Sequence, residues 1–175
     1  MHSKTNALEA VANKLSKYLS PQVYRSLFDE DQEVRLRSER KMLTIFFSDL
    51  VGFTDIAERM DSNALKTILN QYLSEMSDIA LAHGATIDKF VGDAILVFFG
   101  DPETRGKSQD ALSCVEMALD MRAKLRELQQ DWRDQNPDLT LECRMRIHTG
   151  TGAEGDFGSH SRMDYTVIGK SVNLA

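Results

Sequence analysis

Asp49 and Asp93 each border an apolar run, and carboxylates so placed can hold divalent metal ions beside a phosphate. Asp49 closes the run Met42-Leu43-Thr44-Ile45-Phe46-Phe47-Ser48 and is followed by Gly52-Phe53-Thr54. A turn and helix start at those three residues would point backbone N–H groups outward, which makes a ready anion site. Asp93 follows Gly92 between two short apolar runs that read as strands joined by a hairpin turn. An Asp there rides on rigid strands and not on a loose loop. If the fold sets the two carboxylates on neighbouring strands, they could hold two Mg²⁺ ions about 3.5–4 Å apart, the arrangement of two-metal phosphoryl transfer. Taken singly, each has a plainer explanation, Asp49 as a helix cap and Gly92-Asp93 as an ordinary turn. It is the combination that points to metal-assisted phosphoryl or nucleotidyl chemistry.

The elements that must position these residues can be read from apolar periodicity. Residues 42–48 are continuously apolar, as in a central strand buried on both faces. Thr54 is placed to cap a following helix. Asp61 or Ser62 caps a longer one reaching His83, striped by Leu65, Ile68, Leu69, Tyr72, Leu73, Met76 and Ile79 or Ala80, and ended by Gly84. The strands of the hairpin are expected at residues 86–91 and 94–99. A second long helix is expected over residues 108–132, striped by Cys114, Ala118, Met121, Leu125, Leu128 and Trp132. Residues 139–149 read as a strand, 150–162 as a turn and mobile flap, and 165–168 as a last strand before a helix opening at Gly169. Upstream, Leu8, Val11, Leu15 and Tyr18 repeat with 3-4-3 spacing in a helix over 6–19, the seam of a short coiled coil. Ser20-Pro21 opens a second helix to about residue 28, and the charged stretch 29–40 reads as a hinge. Residues 1–40 are thus an N-terminal helical arm and linker, and 41–175 the domain proper. Helices alternating with hairpins, and not strict βαβ repeats, predict an α+β sandwich related to the ferredoxin-like split βαβ.

Bulk composition agrees with one domain: 175 residues, 42% of them hydrophobic, suffice for a proper core. The net charge of −6 leaves no broad basic face, so no nucleic-acid partner is expected. Cys114 and Cys143 read as buried reduced thiols, and no cysteine–histidine cluster has zinc spacing. No apolar run is long enough for a membrane span. The chain reads as a soluble, cytoplasmic domain whose parent protein could carry an anchor elsewhere.

The blocks FSDLVGFT, DKFVGDAILVFFG, RIHTG and YTVIGKSVNLA, in that order over about residues 41–175, resemble the catalytic domain of class III nucleotidyl cyclases. The preceding Lys17-Tyr18-Leu19-Ser20-Pro21 also resembles the helical segment before this domain in bacterial members. The resemblance implies the following roles. Asp49 and Asp93 would bind two Mg²⁺ or Mn²⁺ ions, with the Leu50 carbonyl as a further ligand. Gly52, Phe53 and Thr54 would hold the triphosphate, and Arg144 would contact phosphate. Lys89, with Thr166 as its partner, would recognise the base, and Asn173 would position the ribose. The active sites would form in a head-to-tail homodimer, one chain giving the aspartates and the other Lys89, Thr166 and Asn173. The ribose 3′-oxygen would then attack the α-phosphorus in line with departing pyrophosphate, helped by the metals.

Hydrogen-bond types suggest the base. A Lys is donor only and suits the acceptor N1 of adenine, while a Thr hydroxyl can accept from the 6-amino group. Guanine would want a carboxylate in place of Lys89. The expected function is therefore an adenylyl cyclase using ATP, regulated through the helical arm by an upstream sensor or membrane domain of the parent protein. A guanylyl cyclase and a non-catalytic nucleotide-binding or dimerisation module are the alternatives. The Thr variant of the base pair occurs in a bicarbonate-responsive branch of the family. Arg146 stands where many members have Gly. The family's transition-state Arg would fall four residues after Asn173, past Ala175, so the domain reads as truncated at its C-terminus.

Overall fold

The computed structural model describes residues 38–136, 139–159 and 162–175. The expected arm over residues 6–28, with its coiled-coil seam, lies outside the described residues, as does most of the hinge. The element order is β1 (Ser38–Val51), α1 (Phe53–Arg59), α2 (Ser62–Ala82), β2 (Thr86–Val91), β3 (Ala94–Phe99), α3 (Lys107–Gln135), β4 (Glu142–Ser159), β5 (Arg162–Ile168) and α4 (Lys170–Leu174). The strands form one antiparallel sheet in the order β2-β3-β1-β4-β5. This is the expected α+β architecture, with the sheet curled on itself.

Central position makes β1 apolar on both faces. Phe46 and Leu50 point into a core shared with Tyr72 and Met76 of α2 and with Met117, Met121, Leu128 and Trp132 of α3. Leu43 and Ile45 point to the other face, where Leu96, Phe98, Val167 and Ala175 join them, with Val172 of α4 packed against the group. Each large side chain so buried contributes about 1.5–3 kcal/mol. Asp61 is the cap of α2: its carboxylate accepts from the N–H groups of Asn63 and Ala64 at 2.9 and 3.1 Å.

Three expectations are corrected. Thr54 does not cap α1; Gly52, at φ 70°, is the capping position and no side chain bonds the helix start. β1 begins at Ser38, inside the expected hinge, because it pairs with the far end of β4 as Ser38 opposite Gly155. The expected flap over 150–162 is strand through Ser159, paired with β1 on one side and with β5 on the other. Lys41 ties this extension down, forming ion pairs with Asp101 and with Glu154, the latter at 3.0 Å. Burial works against its charge, but the hydrogen bonds to both carboxylates outweigh it and hold its pKa above the usual lysine range.

Candidate active site

Asp49 and Asp93 come together at one end of the sheet. The last paired residues of β1 and β3 are Ser48 and Ile95, so Asp49 and Leu50 emerge beside the β2–β3 turn. There Asp93 Oδ2 accepts a hydrogen bond from the Leu50 N–H at 2.7 Å. On the other side, register sets Arg144 of β4 opposite Asp49. Its guanidinium grips Asp49 Oδ2 through Nη2 and, at 3.1 Å, through Nε. The hydrogen bond to Asp49 pushes the already high pKa of Arg144 further up. Arg144 thus remains a full cation, with 59% of its side chain in solvent.

Under these charges the floor is neutral. Tyr72 lies 3.5 Å from Ser48 Oγ and 3.6 Å from Cys143 Sγ through its hydroxyl. Burial raises the pKa of both Tyr72 and Cys143, and nearby Asp93 and Asp49 respectively push in the same direction. Neither adds negative charge to the carboxylate pair at neutral pH. Gly52 and Thr54 are exposed and Phe53 is half-buried at the start of α1, directly after β1.

The two carboxylates are oxygen donors of the kind that suits a hard divalent cation. Among the described residues no group of three or more His, Cys, Asp and Glu gathers. A site of two carboxylates therefore leaves coordination positions for water and phosphate oxygens, which is how Mg²⁺ is ordinarily held.

A second group forms where the curled sheet brings its edges, β2 and β5, together. Thr166 Oγ1 donates to Asp88 Oδ2 at 2.6 Å, and the Val167 N–H reaches the same oxygen at 3.2 Å. Lys89 Nζ sits 3.5 Å from Asp88 Oδ1. Lys89 and Thr166 are thus gathered around Asp88, a residue that the sequence reading did not single out. The one signal for it was an acidic side chain inside a short strand, where Asp is disfavoured. Asn173 is exposed on α4, which packs beside β4 and β5. Among the described residues no hydrogen bond or ion pair joins the Asp49/Asp93/Arg144 group to the Asp88/Lys89/Thr166 group.

Comparison with known proteins agrees with this geometry. The sequence profile of the adenylate and guanylate cyclase catalytic domain matches residues 36–175. An adenylate cyclase of Anabaena cylindrica is 34% identical over 165 residues, covering 94% of this chain and 31% of that protein. An adenylate cyclase of Rhizobium meliloti is 31% identical over 78% of this chain and 20% of its own length. The chain thus spans less than a third of these relatives. The crystal structure of the adenylyl cyclase CyaB from P. aeruginosa superposes with a TM-score of 0.78 at 53% identity, over 80% of this chain and 71% of that one. A guanylyl cyclase crystal structure superposes with a TM-score of 0.73 at 39% identity, over 78% and 68%. No helix among the described residues is long and apolar enough to cross a membrane. Fold, sequence profile and the paired aspartates agree that the chain belongs to the adenylate and guanylate cyclase catalytic-domain family, the class III nucleotidyl cyclases.

Proposed function

We propose that this chain is the catalytic domain of an adenylyl cyclase that converts ATP to cyclic AMP and pyrophosphate at a homodimer interface. The observation that carries the reading is the meeting of Asp49 and Asp93 beside the start of α1, with Arg144 alongside. The bond from the ribose 3′-oxygen to the α-phosphorus forms as the bond to pyrophosphate breaks, and the 3′-hydroxyl proton leaves to solvent. Asp49, Asp93 and the Leu50 carbonyl would hold the Mg²⁺ or Mn²⁺ ions. When bound, these supply charge neutralisation on the phosphates and lower the pKa of the 3′-hydroxyl. Arg144 is exposed enough to shift its grip from Asp49 to a phosphate oxygen. The backbone of Gly52, Phe53 and Thr54 would cradle the triphosphate at the uncapped start of α1.

Lys89 and Thr166 would read the base of a nucleotide held by the partner's aspartates, and Asn173 would orient its ribose. The likeness to a guanylyl cyclase structure leaves the base choice to experiment. Product analysis with ATP or GTP and Mn²⁺, beside an Asp49→Ala control, tests the reading. Cyclic AMP lost in the control is the expected result; cyclic GMP as the main product would overturn the base assignment. Lys89→Glu should shift preference from ATP toward GTP by about a hundredfold or more, since the change replaces a donor with an acceptor.

The ribose contact depends on a close approach. A methyl group at Gly150 would run into Ser171 Oγ and lie 3.0 Å from His148 Nε2. Ser171 anchors α4 to β4 by donating to the Thr151 carbonyl at 3.0 Å. Gly150→Ala should therefore displace the helix carrying Asn173. We expect kcat to fall about tenfold, the loss expected for misplaced reacting groups, with the circular-dichroism spectrum unchanged.

A further inference from the structure

We propose that Asp88 is the positioning residue that makes this site select adenine, by fixing the Thr166 hydroxyl as an acceptor and tethering Lys89. The inference rests on the cyclase reading above and adds to it Asp88, to which that reading gives no role. It begins with a bulge. Ile87 pairs with Val97 and Lys89 with Leu96, so Asp88 and Lys89 occupy the space of one residue on β2. A bulge of this kind re-aims a side chain out of the ladder. Asp88 is turned toward β5, and only 1% of its side chain remains in solvent.

A carboxylate only accepts, so the hydrogen bond at 2.6 Å commits the single hydroxyl hydrogen of Thr166 to Asp88 Oδ2. The Val167 N–H at 3.2 Å holds that carboxylate oxygen in place from the backbone. With its hydrogen committed, Thr166 can offer a ligand only lone pairs. It then accepts from an exocyclic amino group and repels a carbonyl at the same position. A free hydroxyl would rotate and serve either. The second oxygen, Asp88 Oδ1, is buried and without a hydrogen-bond partner, and it faces Lys89 Nζ at 3.5 Å. That unmet acceptor draws the ammonium toward Thr166, so donor and acceptor stand side by side as adenine N1 and its amino group require. A buried carboxylate between two recognition groups is otherwise costly, which argues for a task beyond joining two strands.

The test compares kcat/KM for ATP and GTP in the wild type, Asp88→Ala, Thr166→Val and the double variant. Asparagine would keep an amide oxygen facing the Val167 N–H and Thr166, so alanine is used: it removes the acceptor and frees the hydroxyl hydrogen. The expected result is an ATP-over-GTP preference reduced about tenfold or more in Asp88→Ala, with no further loss when Thr166→Val is added. An unchanged preference in a folded Asp88→Ala protein would overturn the inference and leave the cyclase reading standing. A wild type with no preference for ATP would overturn the base assignment itself. Should Asp88→Ala fail to fold, the wild type is compared with Thr166→Val on 6-methoxypurine ribonucleoside triphosphate, whose N1 remains an acceptor. A locked acceptor disfavours that oxygen, so Thr166→Val should accept the analogue about tenfold better relative to ATP. Equal discrimination by the two proteins would refute the lock.

Discussion

Replacing Asp93 with Ala should lower cyclic AMP production about a thousandfold or more and also lower thermal stability, whereas Asp49→Ala should abolish activity alone. The loss of rate follows from the proposed metal role, worth several kcal/mol of charge stabilisation at the reacting phosphate. The difference in stability follows from what each carboxylate touches. Asp93 satisfies the Leu50 N–H at 2.7 Å, and Leu50 is only 4% exposed. Leaving that N–H without a partner costs about 1–3 kcal/mol. In a chain of this size the melting temperature should fall by about 2–10 °C. Asp49 is engaged instead by Arg144, whose side chain is largely in solvent. Such solvent-screened pairs add little to stability, so Asp49→Ala should melt close to the wild type.

Asp93→Asn separates the two roles. It keeps a carbonyl oxygen for the Leu50 N–H but removes the charge, so stability should return without activity. Melting curves and product assays on the three variants check this. An Asp93→Ala protein within tenfold of the wild-type rate would remove Asp93 from the chemistry. Equal melting of Asp93→Ala and Asp93→Asn would remove it from the fold.

What the sequence disclosed and what it concealed divide along physical lines. The hairpin of β2 and β3 was legible because its signals are local: two short apolar runs and a Gly-Asp turn, with Gly92 at φ 62°. So were α2 and α3, whose stripes bury Tyr72, Met76, Cys114, Met121, Leu125 and Trp132 as expected. The extension of β4 was not legible, because its glycines read as loop. Gly150 and Gly152 are there for contact reasons: a methyl group on Gly152 would lie 3.0 Å from Val167 Cγ1. Such approaches come from residues distant in sequence and leave no local pattern. The site divides in the same way. Asp49 and Asp93 stood out by their position at the ends of apolar runs. The grip of Arg144 on Asp49 depends on the β1–β4 register, and the reach of Asp88 to Thr166 depends on a bulge and on the curl of the sheet. Neither register, bulge nor curl is written in local composition.

Trp132→Ala should be among the most destabilising single substitutions in the domain while leaving the turnover of each folded molecule nearly intact. Trp132 is 2% exposed near the end of α3, and its indole N–H donates to Gln71 Oε1 of α2 at 2.9 Å. It thus joins α3 to α2 in the core that also holds Phe46, Leu139, Leu141 and Tyr72. Truncation removes a large apolar surface and leaves a cavity, at a cost of about 3–5 kcal/mol. The melting temperature should fall by about 10 °C or more. Trp132→Phe keeps most of the packing and loses the hydrogen bond, a change of about 1 kcal/mol. Thermal melts followed by circular dichroism, together with activity at low temperature normalised to folded protein, separate the two effects. A Trp132→Ala protein that melts within about 2 °C of the wild type would mean that the helical layer is closed by other contacts. One that folds fully but has lost its turnover would mean that the position of α3 is transmitted through Tyr72 and Ser48 to Asp49. The catalytic carboxylates would then depend on the core beneath them as much as on the strands that carry them.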